Sequence, residues 1–134
     1  MRPPPPRPLH AQPPPGCAAT CADTKKLAAS LRPDGSWSDV DYKDKTGSIW
    51  KTILHMERVL SLARSYHCPH CAAQQGAPAL LKAVHSAFGY WLKNDFTNPN
   101  WWWQDIGTPD LTGAVMIVLS HSPGRCERCC SFYS

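Results

Sequence analysis

The chain has 134 residues and a formal net charge of +4, a length that suits one domain. No apolar run approaches the roughly eighteen residues of a membrane-spanning helix, the longest being Ala114 to Leu119. Ten basic and eight acidic residues between Thr24 and Ser120 form no basic stripe. That argues against nucleic-acid binding and leaves room for an acidic glycan, whose recognition can rest on a few placed polar groups and stacking surfaces.

Residues 1–22 read as a disordered proline-rich arm. Pro3 to Pro6, Pro8 and Pro13 to Pro15 crowd its start, and such a composition is disordered or polyproline II and adds nothing to a core. Pro3 with Pro6 and Pro5 with Pro8 also satisfy PxxP, the pattern that proline-binding modules recognise. Arg2 is followed by prolines rather than by the apolar stretch of a secretory signal. The folding unit is therefore predicted over 23–120.

A first short helix, rich in Ala and Lys, is predicted from Asp23 to Leu31, stopped by Pro33 and Gly35. A second, from about Ile49 to Tyr66, places Ile53, Leu60 and Ala63 on one face, widened by Trp50, Leu54 and Met56, with Ser48 as its cap. The third runs from about Pro78 to Lys93, with Leu81, Val84, Phe88 and Trp91/Leu92 as its stripe. The fourth opens with Thr108 as N-cap and Pro109 in the first turn, carries Leu111, Val115, Val118 and Leu119, and stops before Pro123-Gly124. No alternating strand pattern competes, so antiparallel helical hairpins are the expected all-α architecture. Residues 121–134 form an irregular, cysteine-dense tail with no periodicity, which reads as an abrupt end such as a truncated gene product would leave.

Between the third and fourth helices lies NPNWWWQDIGTP, Asn98 to Pro109. Three consecutive tryptophans beside asparagines, a glycine and two prolines cannot all be buried in one regular element, so at least one indole is expected to face solvent or a ligand. An indole offers a flat apolar face and one N–H donor, which suits stacking on a sugar ring. The plainer use of the same residues is to fill gaps between helices.

The order Asn100-Trp101-Trp102, two variable residues, Asp105, then Ile106-Gly107-Thr108-Pro109 resembles the NWWxxEIGxP signature of polysaccharide lyase family 8, which contains hyaluronate, chondroitin and xanthan lyases. LRPDGSWSDVDYKDKTGSIW, Leu31 to Trp50, resembles the start of the same family's α-helical domain, and the two matches together cover roughly residues 24 to 119. The resemblance implies the first hairpins of an α/α toroid, incomplete in this chain, in an extracellular protein. It also implies β-elimination at a uronic acid, where the negative charge formed on proton removal must be stabilised as the glycosidic oxygen leaves. The Asn, His and Tyr that the family uses for this come from later helices, so no catalytic residue is assigned here. The aromatic patch does carry over: Trp101 and Trp102 as stacking platforms and Asn100 as a hydrogen-bonding side chain, with Trp103 as a packing residue. Acidic polysaccharide such as hyaluronan or chondroitin is the implied partner of a monomeric chain that needs no cofactor. His55, His85 and Tyr90 read as structural residues, the two histidines as satisfied, partly buried imidazoles.

The seven cysteines supply a rival. Cys68-Pro-His-Cys71 and Cys126-Glu-Arg-Cys129 each have the bite of half a zinc site, with His67, His70, His121 and Cys130 nearby, although the gap between the pairs is longer than in common zinc modules. Free thiols are the first expectation, disulfide pairing the second and zinc the third, with no metal ligands assigned. The alternative function is a noncatalytic glycan-binding or zinc-stabilised helical module.

Overall fold

A computed structural model describes the backbone of residues 17–120 and the side chains of 20–120. Four helices make up the described chain: α1 Cys17–Ala29, α2 Leu54–His67, α3 Pro78–Asn94 and α4 Thr108–Leu119. No strand occurs among the described residues, and no described helix is long and apolar enough to cross a membrane. The arm before Cys17 and the tail after Ser120 lie outside the described residues.

α2 is the hub, packed against α1, α3 and α4. With neighbours on several sides, it buries Met56, Val59, Leu60, Leu62 and Ala63, a broader set than one amphipathic stripe. α3 presents Leu80, Val84, Ala87 and Trp91, spaced four, three and four residues apart and so on one helical face. The expected stripe was rotated slightly: Leu80 and Ala87 are buried, Phe88 only packs against the core edge, and Leu92 is exposed. α4 buries Val115 alone, while Met116 and Ile117 face outward, 59% and 62% exposed.

Two helix starts differ from expectation. α1 begins at Cys17 rather than Asp23, extending into the segment read as arm. α2 begins later: Ile49 is exposed, Trp50 is extended, and a 3-10 turn over Lys51–Ile53 leads in without a side-chain cap. Ser48 therefore caps nothing.

Few apolar side chains hold α1 to the domain, Leu27 and Ala28 being half-buried at the core's edge. Polar and covalent links do more. Thr24 is buried and accepts from the Ser65 hydroxyl at 2.8 Å, Gln74 donates to the Cys21 carbonyl at 2.9 Å, and Cys21 is disulfide-bonded to Cys71. The bond corrects the expectation of free thiols and removes Cys71 from any zinc set, since a disulfide sulfur is no thiolate ligand. The second half of that set, Cys126 and Cys129, lies outside the described residues.

The segment between α1 and α2 lacks regular structure, yet it is fixed throughout. Asp34 accepts from the Ser36 amide and hydroxyl, and Gly35, at φ 92°, lies so close to α3 that a Cβ would sit 2.2 Å from the Ser86 carbonyl oxygen. Trp37 is buried and donates its indole N–H to Leu27 O at 3.0 Å, joining the segment to α1. Its backbone N–H donates to the Tyr42 hydroxyl at 2.9 Å, and that hydroxyl meets His55 Nδ1 at 2.8 Å. His55 Nε2 lies 2.7 Å from Ala87 O on α3. A carbonyl only accepts, so Nε2 carries the proton and Nδ1 accepts from Tyr42. Outside this chain, Arg58 spans both Asp39 oxygens at 2.7 and 2.6 Å and lies over the Trp37 ring.

Burial pushes the His55 pKa down from 6.5 to about 4. Between those values the unfolded chain binds a proton that the native state refuses. Stability is therefore fully present above about pH 6.5 and falls as pH drops towards 4, by roughly 3 kcal/mol in all at 1.36 kcal/mol per pKa unit. Urea unfolding at a series of pH values from 7 to 4 should show this loss in the parent and a much flatter profile in His55→Gln; equal slopes would show that His55 is not its source.

Candidate functional site

The site is built outward from Asp44. Its Oδ1 accepts from the Thr46 amide and hydroxyl, its Oδ2 accepts from the Lys51 amide at 2.6 Å, and its backbone carbonyl accepts the Trp50 indole N–H at 2.9 Å. These bonds, the Thr46 hydroxyl foremost, hold the carboxyl below its ordinary range. A tight Asx-type turn over 44–47 results, with the Thr46 and Gly47 carbonyls turned towards the segment before α4.

That segment answers with paired asparagines. Asn98 is buried and donates to Thr46 O at 3.0 Å, while its side-chain oxygen accepts the Asn100 amide at 2.8 Å. Asn100 donates to Gly47 O at 2.8 Å and accepts the Trp102 amide at 3.1 Å, capping the helical turn that follows. One amide hydrogen and one lone pair of Asn100 remain available. Lys45 adds a bond from its ammonium to Thr97 O.

Trp101 and Trp102 are helical rather than looped, and Trp103–Gly107 form a π-helical turn that runs straight into α4. Thr108 is accordingly inside a continuous helix and makes no side-chain cap, contrary to the sequence expectation. With 3.6 residues per turn, three adjacent indoles leave a helix axis in different directions, and the π turn begins only at the third of them, Trp103. Trp101 is 64% exposed and Trp102 42%, with Ile106 exposed between them and α4. Trp103 turns inward: it packs on Trp50 with centroids 5.8 Å apart and donates to Gly47 O at 3.1 Å. Trp102 stands edge-on to it at 4.9 Å.

Gly107 makes that pairing possible. Its φ of −62° is ordinary, but a Cβ there would lie 2.7 Å from ring atoms of both Trp102 and Trp103.

Asn100, Trp101 and Trp102 are thus brought together on one surface. Among the histidines and tyrosine weighed from sequence, His55 is buried and hydrogen-bonded, Tyr90 packs on Tyr42, His55 and Phe96, and His85 is exposed, so the burial expected of it fails. The sequence reading missed the supporting residues Asp44, Thr46 and Asn98, although Asp-x-Thr and Asn-Pro-Asn are turn-forming spacings. It also missed a cleft of about 570 Å³ on the other side of Trp103, walled by Ile49, Trp50 and Leu54 and rimmed by Asp41, Glu57 and Lys51. Apolar surroundings push the Glu57 carboxyl above its usual range.

Gly107→Ala and Gly113→Ala should differ in sign. Alanine gains about 1 kcal/mol of helix propensity at either place, and nothing lies within 4 Å of a Cβ at Gly113. At Gly107 overpacking of about 1–3 kcal/mol opposes that gain, and the anchored Trp103 ring cannot retreat freely. Chemical denaturation should show Gly113→Ala more stable than the parent and Gly107→Ala unchanged to about 2 kcal/mol less stable, with its near-ultraviolet tryptophan dichroism reduced. Unaltered aromatic dichroism in Gly107→Ala would refute the steric role.

Comparison with known proteins bears on what this surface belongs to. The profile of the polysaccharide lyase family 8 N-terminal α-helical domain matches residues 18–128. Chondroitinase-AC of Pedobacter heparinus is 30% identical over 97 residues, which is 72% of this chain and 14% of that protein. A solved chondroitinase AC lyase, determined as oligosaccharide complexes, superimposes with a TM-score of 0.72 at 26% identity over 85% of this chain and 16% of its own. The chain spans only about a seventh of these relatives' length, and the family profile runs from the second residue of α1 through the end of α4. On that match the chain belongs to polysaccharide lyase family 8, as its N-terminal α-helical domain.

Proposed function

We propose that this domain binds an acidic polysaccharide such as chondroitin or hyaluronan on the surface formed by Trp101, Trp102 and Asn100, within a longer protein that cleaves it by β-elimination at a uronic acid. The supporting observation is the pair of exposed indoles on a backbone held by Asn98, Asn100 and Gly107. Rigid aromatic faces lose little conformational entropy on binding, and Asn100 retains a donor and an acceptor beside them. The wider reading is that the four helices begin an α/α toroid whose later helices carry the catalytic groups and cover α4; the exposed Met116 and Ile117 suit such a continuation. An extracellular setting suits both the substrate and the Cys21–Cys71 disulfide, which persists in oxidising compartments.

On this reading the chain by itself is noncatalytic. Incubation of this chain with chondroitin or hyaluronan should give no rise in unsaturated-uronide absorbance, because the proton-abstracting groups are not encoded between Thr24 and Ser120. Clear turnover would overturn that assignment.

Binding itself is tested by substitution. Each platform contributes on the order of 1 kcal/mol by analogy with aromatic pairs, so Trp101→Ala/Trp102→Ala should weaken oligosaccharide binding about tenfold or more. Trp103→Ala should instead lower stability, by the roughly 3–5 kcal/mol of a large-to-small change in a packed site. Oligosaccharide titrations followed by tryptophan fluorescence or calorimetry decide the matter: a helical double variant that binds like the parent contradicts the assignment.

A further inference from the structure

We propose that the Cys21–Cys71 disulfide is a thiol-sensitive clasp: its Cys21 sulfur is a modification site for a small anionic thiol of the glutathione class, and opening it releases the start of α1 from the domain. The site shares no residue with the Trp101–Trp102 surface, and the proposal does not depend on glycan binding.

An open cavity of about 200 Å³ is lined by both cysteines. Cys21 is half-buried, whereas Cys71 is only 4% exposed, so an incoming thiolate meets the Cys21 sulfur first. The alanines at 22, 72 and 73 leave the approach clear, Lys25 and His70 supply a positive charge and an imidazole, and none of the described lining residues is acidic. Disulfide exchange is governed by access to the sulfur and by cations that stabilise the attacking and leaving thiolates. The volume lies below the roughly 300–1,000 Å³ of drug-sized pockets, which suits the cysteinyl part of a small peptide thiol with its carboxylates near Lys25. In the exchange the thiolate bonds to the Cys21 sulfur as the Cys21–Cys71 bond breaks, and the electron pair of that bond leaves on the Cys71 sulfur. A second molecule of the thiol, attacking the mixed disulfide, returns Cys21 as a thiolate and departs as the thiol's own disulfide. The protein's cystine is thereby reduced and two thiols are oxidised.

The contact that the bond closes is polar. Gln74 donates to the Cys21 carbonyl, its side-chain oxygen lies 3.2 Å from the Thr24 hydroxyl, and that hydroxyl accepts from Ser65. Groups of this kind exchange protein partners for water at small net cost, so without the covalent link they hold α1 weakly. The apolar contacts of α1 come later, at Leu27 and Ala28, where the Trp37 indole also bonds the Leu27 carbonyl. Cutting the disulfide therefore frees the start of the helix while its end stays anchored to the segment leading to α2.

The full-length chain, native and at low salt, tests this by incubation with reduced glutathione, alkylation, and peptide mass spectrometry with fragment-ion localisation. A glutathionyl adduct should appear on Cys21 and alkylation on Cys71. Amide hydrogen exchange over residues 21–26 should then accelerate by about tenfold or more, as loss of a cross-link between weakly held elements implies, while α2 and α3 keep their protection. Lys25→Glu is an exposed change that leaves the disulfide in place. It should slow opening by glutathione several-fold and leave opening by uncharged β-mercaptoethanol unchanged. A bond that resists glutathione until denaturant is added would overturn the proposal, as would an adduct confined to Cys71. Loss of protection in α2 and α3 together with α1 would show a disulfide that only stabilises the whole domain, and equal glutathione rates in Lys25→Glu and the parent would remove the anionic-thiol assignment.

Discussion

A buried, neutral imidazole holds together elements that have little else to hold them. His55 receives the Tyr42 hydroxyl and donates to the Ala87 carbonyl, so it links the irregular segment after α1, the hub helix α2 and the face of α3. Tyr42 in turn accepts from the Trp37 amide, and Trp37 reaches α1 through Leu27. Each group in the chain is satisfied, which is the condition under which burying polar atoms costs little. Protonating His55 would set a charge against the chain with no carboxylate beside it, since Tyr42 and Ala87 are its hydrogen-bonding partners.

The aromatic surface depends on that link at one remove. The segment fixed at Trp37 and Tyr42 goes on into the Asp44–Gly47 turn, and Asn98, Asn100 and Trp103 all bond carbonyls of that turn. The exposed indoles are therefore placed by a polar relay rather than by their own packing. A small domain has a limited core, and here the described chain supplements it with a disulfide on α1, a bidentate Arg58–Asp39 pair and these side-chain-to-backbone bonds.

Helix type was legible where apolar spacing was strong. The third helix starts where the sequence predicts and ends one residue later, and its stripe is only slightly displaced, because Val84 and Trp91 leave little choice of face. The second helix was read as starting too early because Ile49 and Trp50 continue the apolar pattern of α2, although tertiary contact rather than helical phase buries Trp50. Pro99, Gly107 and Pro109 make the tryptophan run look like a loop from sequence. Pro109 is tolerated in the first turn of a helix, and a π turn cannot be inferred from residue types. Cys21–Cys71 was illegible for a different reason: pairing depends on where α1 docks, and no local spacing encodes a contact fifty residues away.

Gly107 and Asn100 show how one short motif combines residues that shape the backbone with residues that face outward. Asn100 uses half of its hydrogen-bonding capacity on Gly47 and Trp102, and that use fixes where its remaining donor and acceptor point. Gly107 contributes no side chain, yet its missing Cβ is the space in which Trp102 and Trp103 meet edge to face. Removing that space would move Trp102 without touching its chemistry. The relative setting of two exposed indoles is thus governed by residues that lie behind them, as positioning by a supporting shell requires. Trp103, bonded to the turn on one side and edged by Trp102 on the other, passes the rigidity of the core to the exposed pair.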